Sequence, residues 1–215
     1  MIDLHMHTFF SDGVLIPSEL VYTAKTRGYS AMAITDHIDF SNMESVIPKI
    51  LRVVDDLSKH YNLTVLPGAE LTYVPPKLID KAVKKCRQLG AKVIVVHGQT
   101  VAENVPPETN FYAVQADIDI LAHPGVLTKE VAQIAKDRDV KIEITTRKYH
   151  SVANMEVAKV AREVGAKMIL NTDSHVPENL MTKELIETTL RDANIPLDFF
   201  EIMQKRSLEI VSKYK

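Results

Sequence analysis

Two histidines one residue apart, His5 and His7, end the short run Ile2-Asp3-Leu4, and a Ser11-Asp12-Gly13 turn follows them. In an extended strand, residues i and i+2 point to the same side, so both imidazoles face one cavity and Met6 faces the packing behind it. Two imidazoles at that spacing make half of a metal site. Gly13 can take a positive φ angle, which would let Asp12 fold back and add a carboxylate. An isolated His-x-His reads equally well as a buried pair satisfied by backbone carbonyls. How the other strands end decides between the two.

They end in the same chemistry. Ala31–Thr35 runs into Asp36 and His37, Thr64–Ala69 into Glu70, Lys92–Val96 into His97, Asp119–Ala122 into His123, and Lys167–Asn171 into Asp173 and His175. Six of the eight histidines belong to this set. The donors are imidazole and carboxylate without thiolate, which suits Zn, Mn or Fe and does not separate them. A catalytic zinc takes three protein ligands and keeps a position open for water, so nine donors suit three divalent ions with one carboxylate shared. Three divalent cations outweigh the carboxylates of Asp12, Glu70 and Asp173, so the cavity takes an anion. Hydroxide and a phosphate dianion would offset the excess. The chemistry indicated is attack of water on a phosphate ester, with metal-generated hydroxide as nucleophile.

The elements that carry these residues alternate. Pro17 and Gly28 bracket a first helix, and a second covers about 44–60. Pro75-Pro76 opens a third that Gly90 closes. The stretch from Gly98 to Ala116, with Pro106-Pro107, holds one short helix. Further helices are expected at about 129–137 and 154–164, and two more close the chain, the last capped by Asp198 with Glu201 at the third position. Leu89–Val95 and Val164–Leu170 echo one another as helix-end glycine followed by buried strand. With a further strand at Val140–Thr145, seven apolar strands separated by helices call for parallel pairing with right-handed crossovers, covered on both faces. In an open doubly wound sheet, functional groups gather at one crevice; here nearly every strand end carries one, as on the C-terminal face of a barrel. The expected fold is α/β: a distorted (β/α)7 TIM-like barrel, one domain over residues 1–215, shorter than the ~250 residues of eight units.

Composition agrees. The chain has 215 residues, 46% hydrophobic, with a formal net charge of -2, so there is core for independent stability and no global attraction for nucleic acid or anionic membranes. A single cysteine excludes an internal disulfide, and Cys86 lies on the apolar face of its helix. No apolar run approaches the ~18 residues of a membrane span. A cytoplasmic location is expected.

The segments DLHMHT, SDG, ITDH, PGAE, VVH, AHPG and NTDSH, in this order from Ile2 to His175, resemble the PHP (polymerase and histidinol phosphatase) superfamily, and a stand-alone histidinol-phosphatase-like member in particular. The resemblance implies a trinuclear centre in which His5, His7, Glu70 and Asp173 hold one ion, Asp12, His37 and His175 a second, and Glu70, His97 and His123 a third. It also implies a small phosphorylated substrate, with histidinol phosphate the leading candidate. Nucleotide or nucleic-acid phosphoesterase activity is the alternative. A non-catalytic RNA-binding barrel, like the similarly built subunit of ribonuclease P, would show eroded ligands. An amidohydrolase, which also opens with His-x-His, would place a lysine on the fourth strand, where this chain has His97.

Outside the nine, Arg147 and Lys148 are candidate phosphate contacts, with a solvated loop as the other reading. Asp36 is read as orienting the neighbouring site or capping a turn, in preference to direct ligation. His150 either touches substrate or is exposed, and His60 is a surface histidine at a helix end. Residues 98–107 are long enough to wall or cover the pocket.

Overall fold

The computed structural model describes residues 1–214. They contain eight strand segments and eight α-helices. The strands are β1 (Ile2–Asp3), β2 (Ala31–Ile34), β3 (His37–Ile38), β4 (Thr64–Leu71), β5 (Val93–His97), β6 (Ile120–Ala122), β7 (Lys141–Thr145) and β8 (Met168–Asn171). The helices are α1 (Pro17–Thr26), α2 (Met43–Tyr61), α3 (Ile79–Gln88), α4 (Thr109–Gln115), α5 (Lys129–Asp137), α6 (Asn154–Val164), α7 (Lys183–Asp192) and α8 (Phe199–Ser212). All pairings are parallel, in the order β1-β2-β4-β5-β6-β7-β8, and β3 continues the line of β2 against β4. Seven staves therefore form a nearly closed barrel, the distorted (β/α)7 architecture expected.

Strand periodicity divides the buried side chains into two cores. Ala31, Ala33, Leu66, Val93, Val95, Ile120 and Ile169 fill the lumen, while Met32, Ile34, Val65, Ile94, Val96, Leu121 and Ile142 face the helices. Following the inward positions upward, the residues change character. Leu66 leads to Glu70, Val95 to His97, and Ile169 to Asn171 and Asp173. The lower lumen is an apolar plug closed from below by Ile210 and Val211 of α8, and the upper lumen is lined with ionisable groups. Burial of the plug fixes the strands, and the strands present the ionisable row on one mouth.

The barrel is distorted where β1 meets β8. β1 is two residues long, and at the floor its edge is met by a side chain in place of a strand: Ile2 N–H donates to Gln204 Oε1 at 2.7 Å, and Gln204 Nε2 donates to the Ile2 carbonyl at 3.0 Å. Higher up, Leu4 N–H donates to Asn171 Oδ1 at 3.0 Å and Thr172 Oγ1 to Asp3 Oδ2 at 2.6 Å. Backbone pairing appears only at the top, where Met6 bridges Ser174 and His7 N–H reaches the Ser174 carbonyl at 2.9 Å.

Two helix starts differ from expectation. A 3-10 turn over Pro76–Leu78 precedes α3. Asp198 makes no side-chain cap to α8 and has helical backbone angles (φ -66°, ψ -20°). The amides of Phe199, Phe200 and Glu201 are already bonded to the carbonyls of Pro196, Leu197 and Asp198, which leaves the carboxylate nothing to accept.

The floor seam makes a direct prediction. Gln204→Ala removes both bonds to β1, and leaving partly buried backbone groups unpaired costs about 1–3 kcal/mol. The unfolding free energy should fall by that much, read as a lower denaturant midpoint at unchanged slope, with metal content unchanged; an unaltered midpoint would show that Gln204 is not needed to hold the seam.

Candidate metal centre

Every one of the nine donors lies at the C-terminal mouth of the barrel. Glu70 is the hub: its carboxylate oxygens lie 2.7 Å from His37 Nδ1, 3.2 Å from His97 Nδ1, 3.3 Å from His5 Nε2, 3.5 Å from His7 Nε2 and 3.7 Å from His123 Nε2. Asp173 is the second, 3.1 Å from His7 Nε2, 3.4 Å from His175 Nδ1 and 3.8 Å from His123 Nε2. Asp12, on the first loop, lies 3.1 Å from His175 Nε2 and 3.5 Å from His37 Nε2. His7, Asp12, His37 and His175 each present a donor atom within 4.8 Å of the others, as do His5, His7 and Asp173, and His37, Glu70 and His97. The groupings overlap those implied by resemblance, with Glu70 nearer to His37 and His97 than to His123.

Ten buried side-chain atoms among the described residues lack a hydrogen-bond partner of acceptable geometry, and all ten belong to His5, His7, Glu70, His97, His123 and Asp173. Buried polar groups are ordinarily paired because each unmet one costs about 1–3 kcal/mol. Ten gathered in one cavity, all lone-pair donors or imidazole nitrogens, fit divalent cations. The residues present therefore suit the metal that their types imply.

Local backbone aims these groups. Asp3 Oδ1 accepts from the His5 amide at 3.2 Å, and across this bend the inward face passes from Leu4 to His5 and His7, with Met6 packed in the outer core. Asp36 is fully buried and points away from the donors. It accepts from the Thr8 amide at 2.7 Å, Thr8 Oγ1 at 2.8 Å and Ser11 Oγ at 2.8 Å, so it holds the loop that carries Asp12, the orienting role expected. Gly13 has no positive φ, contrary to expectation. Glycine is required there because a Cβ would lie 2.5 Å from the His7 carbonyl oxygen; the loop is pressed against β1's end. His123 (φ +24°) and Asp173 (φ +52°) do occupy left-handed backbone, which costs of the order of 1–3 kcal/mol for such residues and gathers at functional sites.

Burial and mutual attraction set the protonation. Desolvation, aided by neighbouring His37, pushes His7 down to about 3, and desolvation likewise holds His123 well below its ordinary value. Against desolvation, the carboxylates of Glu143, Glu70 and Asp173 raise His5 and those of Glu70 and Asp12 raise His37. Against the same desolvation penalty, the neighbouring carboxylates of Glu103 and Glu70 lift His97 to about 10. Glu70 and Asp173 are held below the usual carboxylate range, mainly by His5 acting against desolvation, and His175 helps hold Asp12 at about 2.

Several groups lie off the strand-end pattern. Glu143 on β7 is fully buried and receives His5 Nδ1 at 2.8 Å, Asn171 Nδ2 at 3.0 Å and the His123 amide at 3.3 Å. It fixes which nitrogen of His5 faces the centre. Its signal was the polar alternation Lys141, Glu143, Thr145 on one face of an otherwise apolar strand. Glu103, on the loop after β5, lies 3.3 Å from His97 Nε2. Arg147 reaches the site, its Nε 3.8 Å from Asp173 Oδ2 and one Nη bonded to Asn179 Oδ1 at 3.2 Å. Lys148 does not; it is exposed, with its ammonium over Tyr149. His150 is buried beside the donors, which removes its exposed reading. His60 is exposed at the end of α2. The 98–107 segment forms a wall of the mouth through Thr100 and Glu103.

Comparison with known proteins decides the lineage. The PHP domain model matches residues 3–116. The chain belongs to the PHP domain family. It is 49% identical to the uncharacterized protein MJ1295 of Methanocaldococcus jannaschii over 85% of this chain and 84% of that one. It is 28% identical to the probable phosphatase PMI1003 of Proteus mirabilis over 91% and 86% of the two chains. Among solved structures, a chain in the cryo-EM structure of archaeal ribonuclease P with mature tRNA superposes with a TM-score of 0.73 at 16% identity, covering 98% of this chain and 89% of that one, a likeness of fold. Membership of the PHP family and a buried donor set suited to divalent ions make this protein a metal-dependent hydrolase. No helix among the described residues is long and apolar enough to cross a membrane.

Proton linkage gives the test of the centre. His5 and His97 are raised well above the ordinary imidazole range and His37 is raised, so protons compete for these nitrogens, and an ion that takes them must expel the protons they hold. Apparent metal affinity should therefore climb with pH until His97 titrates at about 10. Calorimetric titrations in buffers of different ionisation enthalpy should report proton release at neutral pH; metal uptake without it would contradict the protonation derived above.

Proposed function

We propose that this protein hydrolyses a small phosphomonoester, with histidinol phosphate the leading named substrate, using three divalent ions of Zn, Mn or Fe. The observation that carries the reading is the cluster of ten unpartnered buried donor atoms at the mouth of a PHP-family barrel. The phosphatase names of relatives such as that from Proteus mirabilis support the reaction class. His5, His7, Glu70 and Asp173 would hold one ion, Asp12, His37 and His175 the second, and Glu70, His97 and His123 the third. Bound there, the ions would polarise the phosphoryl oxygens and lower the pKa of water.

The chain's own groups do the rest. Glu143 and Asp36 hold His5 and the Asp12 loop in place. The Arg147 guanidinium, partly exposed and steadied by Asn179, is placed to fork onto phosphate oxygens. Left-handed backbone at His123 and Asp173 sets two of the donors at strand ends. A complete set of nine donors supports catalysis over a purely RNA-binding barrel, and His97 at the fourth strand end opposes the amidohydrolase pattern.

The test is phosphate release by protein reconstituted in turn with Mn, Zn and Fe, offered histidinol phosphate, nucleoside monophosphates and short oligonucleotides. Monoester turnover indifferent to moderate salt is expected, whereas a nucleic-acid substrate would show activity falling steeply with salt. A metal-loaded sample that turns over none of them removes the proposal.

A paired substitution locates the chemistry. His123→Ala and Asp173→Ala should each lose more activity than the roughly 10–100-fold that follows loss of an outer partner of a metal ligand. Each should also lower metal content, with the circular dichroism of the barrel retained. Full metal content in either variant would show that the residue is not a ligand.

A further inference from the structure

We infer that His150 is a further catalytic residue, donating a hydrogen bond from Nε2 to an oxygen of the substrate's phosphoryl group, and that the Thr100 hydroxyl positions it. The inference rests on the phosphoesterase reading above and adds a second contact to the anion beside Arg147.

The loop after β7 presents two side chains to the centre. His150 N–H donates to the Arg147 carbonyl at 3.1 Å, which closes a four-residue turn over Arg147, Lys148, Tyr149 and His150. Asn154 braces the strand end below it through bonds to the Thr145 carbonyl at 2.8 Å and the Thr145 amide at 3.3 Å. The first and fourth residues of the turn face inward and the middle two face solvent: Tyr149 is 69% exposed and His150 7%. Arg147 Nε and His150 Nε2 converge on one oxygen, Asp173 Oδ2, at 3.8 and 3.9 Å. Two nitrogen donors thus flank a carboxylate of the metal centre, where the cavity takes an anion.

The His150 ring is held in one orientation. One face stacks on His123, with centroids 4.3 Å apart and planes at 16°. Nδ1 lies 2.6 Å from Oγ1 of the buried Thr100. That oxygen already accepts from the Ala102 amide at 3.2 Å, and among the described residues the only acceptor bonded to its hydrogen is His150 Nδ1. A neutral imidazole whose Nδ1 accepts carries its proton on Nε2, so the hydrogen-bond network assigns His150 the Nε2–H form. This N–H is uncommitted. Glu103 Oε1 and Asp173 Oδ2 stand 3.5 and 3.9 Å from it, longer than the ~2.7–3.2 Å of a formed N–H···O bond.

His123, His150 and Asp173 also present atoms within 4.8 Å of one another, and the rival account makes His150 a metal ligand. Ligation through Nε2 requires its lone pair, hence a proton on Nδ1. That would leave the buried Thr100 hydroxyl without an acceptor, at a cost. The two accounts put the proton on opposite nitrogens.

The experiment uses the full chain loaded with Zn, and inorganic phosphate as the probe. Long-range 15N spectra of protein labelled in its imidazole nitrogens, with the His150 signals identified by their loss from His150→Ala, should show the Nε2–H form. His150→Ala should keep its full metal content and bind phosphate roughly tenfold or more less tightly by calorimetry, the effect of losing one hydrogen bond to a charged group. His150→Gln retains an N–H of similar reach and should recover part of that loss. Thr100→Val should weaken phosphate binding with metal content kept, and Thr100→Ser should restore it. A proton on Nδ1 in the loaded wild type, metal loss from a folded His150→Ala, or phosphate bound by His150→Ala as tightly as by wild type would each overturn the inference while the phosphoesterase reading stands. A Zn-loaded wild type that neither binds phosphate nor turns over any phosphoester overturns both.

Discussion

The contact on which the molecule depends is the short junction between the end of β1 and the end of β8. His7 N–H and the Ser174 carbonyl meet at 2.9 Å, joining residues from opposite ends of the chain. Through that junction His5 and His7 come to lie beside Asp173 and His175, and two half-sites become one. The apolar plug beneath supplies the force that holds the staves, since burial of lumen side chains such as Leu4, Leu66 and Val95 is worth roughly 1.5–3 kcal/mol each. The plug determines where the strands end, and the strand ends determine where the donors meet.

That arrangement works against the stability of the metal-free protein. Glu70 and Asp173 are nearly or fully buried, and a carboxylate withdrawn from water is costly unless it is paired. In the absence of metal, the raised imidazoles of His5 and His97 supply the compensation, while His7 and His123 are kept neutral by desolvation. The cavity is an array of near neighbours that satisfy one another poorly. A divalent ion would resolve the conflict with a double positive charge at one point where several protons are otherwise needed.

Much of this was legible in the chain. Alternation of apolar runs with helix signals led to the seven-stave barrel, and His-x-His at β1 together with the residues ending β2 to β8 marked the mouth, because a two-residue period and a strand terminus are local properties. What escaped depended on contacts far apart in sequence. Glu143 lies inside its strand, and only the lumen shows that it supports His5. Glu103 lies on an irregular loop, where no period says which way a side chain turns. At Gly13 it is close approach to the His7 carbonyl that demands glycine, and not a left-handed angle, and a close approach of two segments is invisible in the sequence. Asp198 matched a capping pattern, yet the preceding turn had already satisfied the amides that it would have capped. The floor seam made by Gln204 left no trace at all, because a glutamine on a helix reads as solvated until its partner strand is known.

The side-chain seam has a kinetic consequence. β1 is made first, but the groups that satisfy its free edge at the floor belong to Gln204, and those at the top to residues 171–174. During synthesis the first strand must wait, paired on one side with β2, until Gln204, some 200 residues later, has been made. Closing so long a loop is entropically expensive. Barrel closure, and with it assembly of the half of the donor set that joins the two ends of the chain, is therefore a late event in folding.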